Sequence, residues 1–259
     1  MADYVEILQN LVADLRIGVS LATRLPVAPN TPLGDGDVAR SSWTLPIAGL
    51  LVGLAGSTAY WLAARLHLPP EPAAALALAA TVLLTGAIHE DGLADAADAL
   101  GGETAEQRLQ IMRDSRIGAF GVCALVISFL LRWSALSEIA EVTDARSVAT
   151  ALIVAHAASR AILPAFMFLV PPARSDGLSA SAGRPPGQGV VVALALGIVC
   201  LLLAFGPKVA VIALLMLALA ALVLARLAMR RIGGQTGDVL GALEQIGEAI
   251  LLLIASAMV

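Results

Sequence analysis

The chain has 259 residues, of which 59% are hydrophobic and 14% are charged, and its formal net charge is −4. Its mean hydropathy of +0.87 is too high for a soluble domain, in which about a quarter of the residues carry charge. These values indicate an integral membrane protein, and the weak negative charge gives no support to nucleic-acid binding.

Apolar runs of spanning or nearly spanning length predict about seven transmembrane helices, and hence an all-α, polytopic helix bundle. We expect one membrane-embedded domain over residues 1–259. Charges among the apolar residues of segment 1–24 favour an amphipathic interfacial helix over a cleaved leader. Cys123 and Cys200 lack metal or redox spacing and are interpreted as small core residues. The predicted spans are 43–64, 72–88, 117–136, 148–170, 189–206, 208–229 and 239–258.

Basic residues are concentrated in alternate loops. The poorer set of loops carries only Arg65, Arg146 and Lys208. The positive-inside rule therefore places the N-terminus and the three longer loops in the cytoplasm, so that the chemically suggestive segments share one face. Arg132, near the far end of the third predicted span, is expected to extend toward the interface.

The stretch from His89 to Asp98 places three carboxylates beside the second apolar run. Steps of four and three residues put Asp91, Asp95 and Asp98 on one helical face, within about 60° of arc. Such carboxylates repel one another unless a cation lies among them, and Mg²⁺ favours these oxygen ligands. Small residues such as Gly92 are expected to leave room for a bulky ligand. A solvated acidic face is the alternative, but such faces usually include basic residues, and this stretch has none.

A run of charged and hydroxyl side chains precedes the third span, and Gly118 and Gly121 follow it. Arginine suits a bidentate grip on phosphate. Anchoring by the positive-inside rule would explain the arginines, but not an aspartate and a serine between them. The run therefore predicts four substrate-binding residues: Arg113, Asp114, Ser115 and Arg116.

Polar residues also lie inside the fourth and the last predicted spans. His156 and Arg160 share one helical face, and an intramembrane arginine needs a partner or a water-filled cavity. Glu248 lies about two turns into an apolar helix, so a partner or a cation is expected there. His156 is equally consistent with a satisfied core histidine. His89 either relays protons at the acidic face or bonds to backbone, and the sequence leaves both open.

A glycine-rich turn leads into the last span. Thr236 and Asp238 lie at the predicted N-cap of that helix, whose free N–H groups suit an anion. Asp238 either approaches the metal or only caps the helix. Together with the fourth span and the loop after it, this turn completes the predicted substrate-binding set: Arg160, Arg174, Asp176, Gly234, Thr236 and Gly237.

Taken together, these segments resemble the cobalamin synthase family, that is, the adenosylcobinamide-GDP ribazoletransferases. The resemblance runs in order from residue 23 to residue 248. Two departures are visible, Ala99 in place of a glycine and no aromatic residue after Arg160, and neither removes a carboxylate. The matching segments are Thr23–Pro26, His89–Asp95 with Asp98, Ile111–Gly121, Ser159–Arg160, Ala173–Arg174 with Asp176–Gly177, and Gly233–Ala242.

The resemblance implies a Mg²⁺-dependent transferase in the final nucleotide-loop assembly of cobalamin biosynthesis. A ribose 3′-hydroxyl of α-ribazole, or of its 5′-phosphate, attacks the cobinamide-side phosphorus of adenosylcobinamide-GDP, and GMP leaves. By analogy with CDP-alcohol phosphotransferases, Asp98 is the candidate base. The implied catalytic residues are Asp98, Asp95 and His89, and the implied metal ligands are Asp91, Asp95, Asp98, Asp238 and Glu248.

The resemblance also implies a multi-pass protein of the bacterial inner membrane, in contact with lipid, with its site facing the cytoplasm. Homo-oligomerisation is left open. Two rival functions remain. A CDP-alcohol phosphotransferase would usually carry an Asp-x-x-Asp-Gly-x-x-Ala-Arg opening, which is absent here. A cation or metabolite transporter would place polar groups near the bilayer midplane in related halves, whereas here they gather at one face.

Overall fold

The computed structural model describes residues 2–29, 32–34 and 36–259, and no β-strand occurs among them. Within these described ranges, five helices are long and apolar enough to span a membrane, and one bent helix pair makes a sixth candidate. The predicted all-α membrane bundle is therefore confirmed. The helices are α1 Ala2–Ala22, α2 Asp37–Ser41, α3 Leu45–Arg65, α4 Pro70–Thr85, α5 Ile88–Asp98, α6 Ala105–Ile111, α7 Ala119–Val142, α8 Ala145–Ala161, α9 Leu163–Leu169, α10 Leu178–Ala182, α11 Gly187–Ile232 and α12 Gly237–Ser256.

Helix α11 contains two of the predicted spans. It has 46 residues and is broken at Gly206, where φ is 70° and Pro207 follows. Without the break it would be about 69 Å long, more than twice the thickness of a hydrocarbon core. Leu194 instead lines a cavity together with Leu214 and Ala218, so the two halves fold back against each other. The break thus turns one long apolar stretch into an antiparallel pair.

Helices α4 and α5 meet at a bend of 89°. Gly86 and Ala87 both have left-handed backbone there, with φ values of 67° and 60°. The backbone N–H of Arg24 donates to the carbonyl of Leu84 at 2.7 Å, and a Cβ at Gly86 would overlap the Arg24 side chain. The segment around Arg24 therefore braces the bend that turns α5 away from the direction of α4.

The loops that carry the sequence motifs meet at one end of the bundle. The backbone N–H of Ala173 donates to the carbonyl oxygen of Gln235 at 2.9 Å, and the N–H of Gln235 donates to the carbonyl oxygen of Pro171 at 2.8 Å. Nearby, Arg108 reaches the carbonyl of Arg231 at 3.5 Å. The cytoplasmic orientation of this end stays a prediction.

The predicted interfacial segment forms α1. Its second half packs on the bundle, where buried Asp14 accepts a hydrogen bond from the Trp43 indole at 2.9 Å and pairs with Arg40. Its first half leaves Val5 and Leu8 more than half exposed. Such an apolar surface suits a membrane interface.

Arg132 does not extend to the interface, so that prediction was wrong. Helix α7 runs to Val142, six residues past the predicted end of the span, which moves Arg132 to mid-helix. The side chain is fully buried and pairs with Glu90 and Glu248. A buried arginine in the bundle thus replaces the expected surface one.

Candidate active site

The acidic helix α5 crosses α12 in direct backbone contact. A Cβ added at Gly92 would lie 3.0 Å from the Cα of Asp238 and 3.2 Å from the Cα of Gly241. The space beside Gly92 is therefore filled by α12, and the expectation that it leaves room for a ligand was wrong. The close crossing brings the carboxylates of α5 beside Asp238, at the start of α12.

Asp91, Asp95 and Asp238 form the open part of the acidic site. Asp91 is exposed, and the other two are partly buried. Asp95 feels the charges of the other two and of Asp98. Among the described residues, no basic side chain forms an ion pair with any of the three open aspartates. Uncompensated negative charge on oxygen ligands alone fits a hard divalent cation such as Mg²⁺.

Asp98 is engaged elsewhere. Its carboxylate oxygens accept the backbone N–H groups of Gly118 at 2.7 Å and Gly121 at 2.8 Å, and so cap the start of α7. A Cβ at Gly118 would lie 2.5 Å from an Asp98 oxygen, and one at Gly121 would collide with the other oxygen. Each of its oxygens is therefore already engaged by a backbone N–H donor. The metal and base roles of Asp98 stay predictions, and this arrangement favours Asp91 and Asp95 for them.

Glu248 and Arg160 lie deeper in the bundle than the acidic site. Glu248 is ten residues beyond Asp238 on α12, about 15 Å along the helix axis. It pairs with Arg132 at 2.9 Å and lies 3.2 Å from His156. Buried Arg160 pairs with Glu244 at 2.5 Å. The prediction that Glu248 shares a metal with the aspartates was wrong, and Arg160 is paired inside the bundle instead of facing a substrate.

His89 faces the same interior. Its Nδ1 lies 3.4 Å from Arg160 and 4.0 Å from Glu244. Sequence reasoning missed Glu90 and Glu244 as members of this buried group. The spacing of Glu244 four residues before Glu248, on an apolar helix, was the available signal. The open question about His156 is answered by its burial among these partners, as a core histidine.

The charged run before α7 is paired within the loops. Arg113 bonds both carboxylate oxygens of Asp176 at 2.7 Å, which joins this loop to the one after α9. Arg116 bonds Asp114 at 2.6 Å and is 87% exposed. The Arg116 guanidinium lowers the pKa of the Asp114 carboxyl to about 2. Ser115 is exposed beside them, so the structure brings the predicted loops together but pairs most of their charges with one another.

Arg174 is a cation whose charge reaches the acidic site. Its charge acts on Asp238, but it forms no ion pair with it. Its Nη1 is buried without a hydrogen-bond partner among the described residues. A Cβ added at Gly177, where φ is 88°, would lie 3.3 Å from the guanidinium. An unpartnered guanidinium N–H suits a phosphate oxygen, and the carboxylates near it would hold a cation.

The glycine-rich turn mainly shapes the backbone. Gly233 ends α11 with φ of 82°, and a Cβ at Gly234 would lie 2.7 Å from the Ala173 nitrogen. Gly234, predicted to bind substrate, is therefore buried in a backbone contact. Thr236 caps α12 by accepting the Val239 N–H at 3.3 Å and lies 3.1 Å from an Asp238 oxygen. Of the three turn residues predicted to bind substrate, Gly234 and Thr236 are buried and Gly237 is exposed, with nothing within 4 Å of an added Cβ.

Comparison with known proteins identifies the family. The model of the cobalamin-5-phosphate synthase family matches residues 14–256. A protein of Bradyrhizobium diazoefficiens named adenosylcobinamide-GDP ribazoletransferase is 60% identical over 253 residues, which cover 97% of this chain and 96% of that protein. Proteins of the same name from Mesorhizobium japonicum and Ralstonia nicotianae are 47% and 42% identical, over 96% of this chain in each case and 94% and 97% of theirs.

No solved structure matches the chain at a significant level. The family match and the full-length relatives nevertheless agree with the resemblance carried by the acidic helix and the loops around it. The chain belongs to the cobalamin-5-phosphate synthase family.

Proposed function

We propose that this chain transfers the cobinamide phosphate of adenosylcobinamide-GDP to α-ribazole or its 5′-phosphate and releases GMP. This is the final nucleotide-loop assembly step of cobalamin synthesis, as the names of its family and relatives describe. One observation in the chain itself carries the proposal: Asp238, one of three aspartates without an ion pair among the described residues, feels the charge of Arg174, which has an unpartnered, buried N–H. Such a pairing of donors and ligands suits a diphosphate with its metal ion.

Asp91, Asp95 and Asp238 would hold Mg²⁺. When bound, Mg²⁺ would neutralise the diphosphate and polarise the phosphorus under attack. Arg174 supports the proposal as the cation that binds a phosphate oxygen from the protein side. The exposed start of α12 at Gly237 adds backbone N–H groups, which attract anions.

The transfer forms one bond and breaks one. The hydroxyl oxygen of α-ribazole joins the cobinamide-side phosphorus, and the bond from that phosphorus to the oxygen of the GMP leaving group breaks. The hydroxyl proton passes to a carboxylate of α5. Asp95 is the better candidate for this role, because Asp98 already accepts two backbone N–H groups.

We further propose that the acidic end of the bundle faces the cytoplasm of a bacterial inner membrane. The arginine-rich loops that meet at this end support the orientation by the positive-inside rule. Membrane lipid would then surround the apolar helices, and both substrates would reach the site from the cytosol. Association between copies of the chain stays a prediction.

The test uses the protein purified in lipid nanodiscs with adenosylcobinamide-GDP, α-ribazole and Mg²⁺. Mass spectrometry should detect GMP and the joined cobalamin in equal amounts, and a chelator should stop both. Asp91→Asn and Asp95→Asn should abolish turnover, whereas Arg146→Lys, at the opposite end, should not. GMP without a joined product would refute the transfer, and full turnover in excess chelator would refute the metal site.

A further inference from the structure

A buried ionic cluster lies beneath the acidic site, and the proposed chemistry does not use it. Its carboxylates are Glu90 on α5 and Glu244 and Glu248 on α12, the last two about 9 and 15 Å below Asp238 along the helix. Arg132 from α7 and Arg160 from α8 are at most 1% exposed. Burying this many charges is costly unless well-placed ion pairs and hydrogen bonds offset the loss of hydration. The full cluster is His89, Glu90, Arg132, His156, Arg160, Glu244 and Glu248.

Each arginine of the cluster bridges the same two helices. Arg132 Nη1 lies 3.3 Å from a carboxylate oxygen of Glu90 on α5 and 2.9 Å from one of Glu248 on α12. Arg160 lies 3.4 Å from His89 on α5 and 2.5 Å from Glu244 on α12. The two helices joined in this way are those that carry Asp91, Asp95 and Asp238.

The contact of Gly92 with Gly241 sets the distance between α5 and α12. Glycines have no side chains to interlock, so this contact does not stop one helix from sliding along the other or rotating about its own axis. Charge-assisted hydrogen bonds are directional and fix both. Glu90 directly precedes Asp91 in the chain, so fixing Glu90 also fixes the start of the acidic face.

The same cluster contains the one trio of ligand atoms within 4.8 Å of one another among the described residues, on His156, Glu244 and Glu248. Each glutamate of this trio already binds a guanidinium, at 2.5 Å and 2.9 Å. A divalent ion there would face two neighbouring cations. The charges therefore favour a structural link between helices over a second metal site.

We propose that Arg132 and Arg160 are positioning residues, which hold α5 and α12 in the register that lets Asp91, Asp95 and Asp238 bind one divalent cation. The inference rests on the metal site of the proposed function. It assigns to the cluster a control of metal affinity, although no member of the cluster touches the metal.

The test compares wild type with the neutral triple variant Arg132→Met, Glu90→Gln and Glu248→Gln, which removes the bridge together with both carboxylates that pair with Arg132. The matched control, Arg40→Met with Asp14→Asn, removes an ion pair that touches neither helix. Mn²⁺ binding is followed by the EPR signal of the free ion. Folding is followed by size exclusion and thermal unfolding. We expect the Mn²⁺ dissociation constant of the folded bridge variant to rise at least about tenfold, and that of the control to stay unchanged.

A second readout needs no metal. Nitroxide labels at Leu100→Cys, two residues beyond the end of α5, and at Leu253→Cys on α12 report the spacing of the two helices by pulsed EPR, in a Cys123→Ala and Cys200→Ala background. The bridge variant should shift or broaden the distance distribution. An unchanged distribution, or Mn²⁺ affinity within about twofold of wild type, would overturn the positioning role. If wild type binds no Mn²⁺, the proposed metal site is wrong, and the label distances alone decide whether the arginines set the register.

Discussion

Two Asp→Asn exchanges on α5 should have opposite effects on stability, although the helix presents both carboxylates on one face. Asp98 accepts two backbone N–H groups and is 9% exposed, whereas Asp95 accepts none from the described residues and feels three other carboxylates. In Asp98→Asn, one oxygen becomes an NH₂ group that faces an N–H donor. In Asp95→Asn, only a repelling charge is lost. The cap and the candidate ligand can therefore be told apart without any measurement of catalysis.

The expected sizes follow from these contacts. Losing one hydrogen bond to a charged acceptor costs about 1.5–3 kcal/mol. For a chain of this size, about 1 kcal/mol corresponds to roughly 2–4 °C in Tm, so Asp98→Asn should lower Tm by about 3–12 °C. Asp95→Asn should leave Tm unchanged or raise it slightly, because it removes like-charge repulsion.

The measurement is thermal unfolding in detergent without divalent cations, followed by turnover of each folded variant. Asp95→Asn should be folded and inactive. Asp98→Asn should be less stable and retain part of its activity below its lowered Tm. An Asp98→Asn protein as stable as wild type would refute the capping role. An Asp95→Asn protein that is markedly less stable would show that Asp95 has a structural partner instead of a metal.

Three further outcomes are expected. Gly121→Ala should cost about 1–3 kcal/mol in thermal unfolding, because its Cβ collides with the carboxylate that caps α7; wild-type stability would contradict this contact. Arg174→Lys should weaken binding of the GDP-linked substrate about tenfold, because the point charge of an ammonium replaces the bidentate guanidinium. An unchanged KM would show that Arg174 does not bind the phosphate. Glu103→Cys should react with a membrane-impermeant thiol reagent from the cytoplasmic side and Val142→Cys from the other side; reaction from one side only would refute the topology.

The sequence predicted the membrane bundle well because hydrophobic length is a local property. The runs 189–206 and 208–229, for example, meet at Gly206 and Pro207, two residues whose own backbone properties disfavour a continuous helix. The acidic face of α5 was predictable for the same reason, since steps of three and four residues need no tertiary information.

Tertiary pairing was beyond the sequence. Nothing local distinguishes Asp98, which caps a helix 20 residues later, from Asp95, which is open. Arg132 was placed near a helix end because apolar content falls after residue 136, yet α7 continues to Val142. Glycines gave the most misleading signal. Gly92 and Gly234 serve backbone contacts between distant segments, which have the same composition as ligand-binding loops.

The two breaks in the long apolar helices differ in how much inserted chain they should tolerate. At Gly206 a side chain would meet nothing within 4 Å, and the turn there only reverses the direction of the chain. Exposed turns of this kind usually accept foreign sequence, so an epitope of about ten residues after Gly206 should fold out of the way. At Gly86 the same insertion would displace Arg24 and swing α5 away from α12. The first break is thus a site for tags and fusions, and the second is a hinge whose length the enzyme must keep.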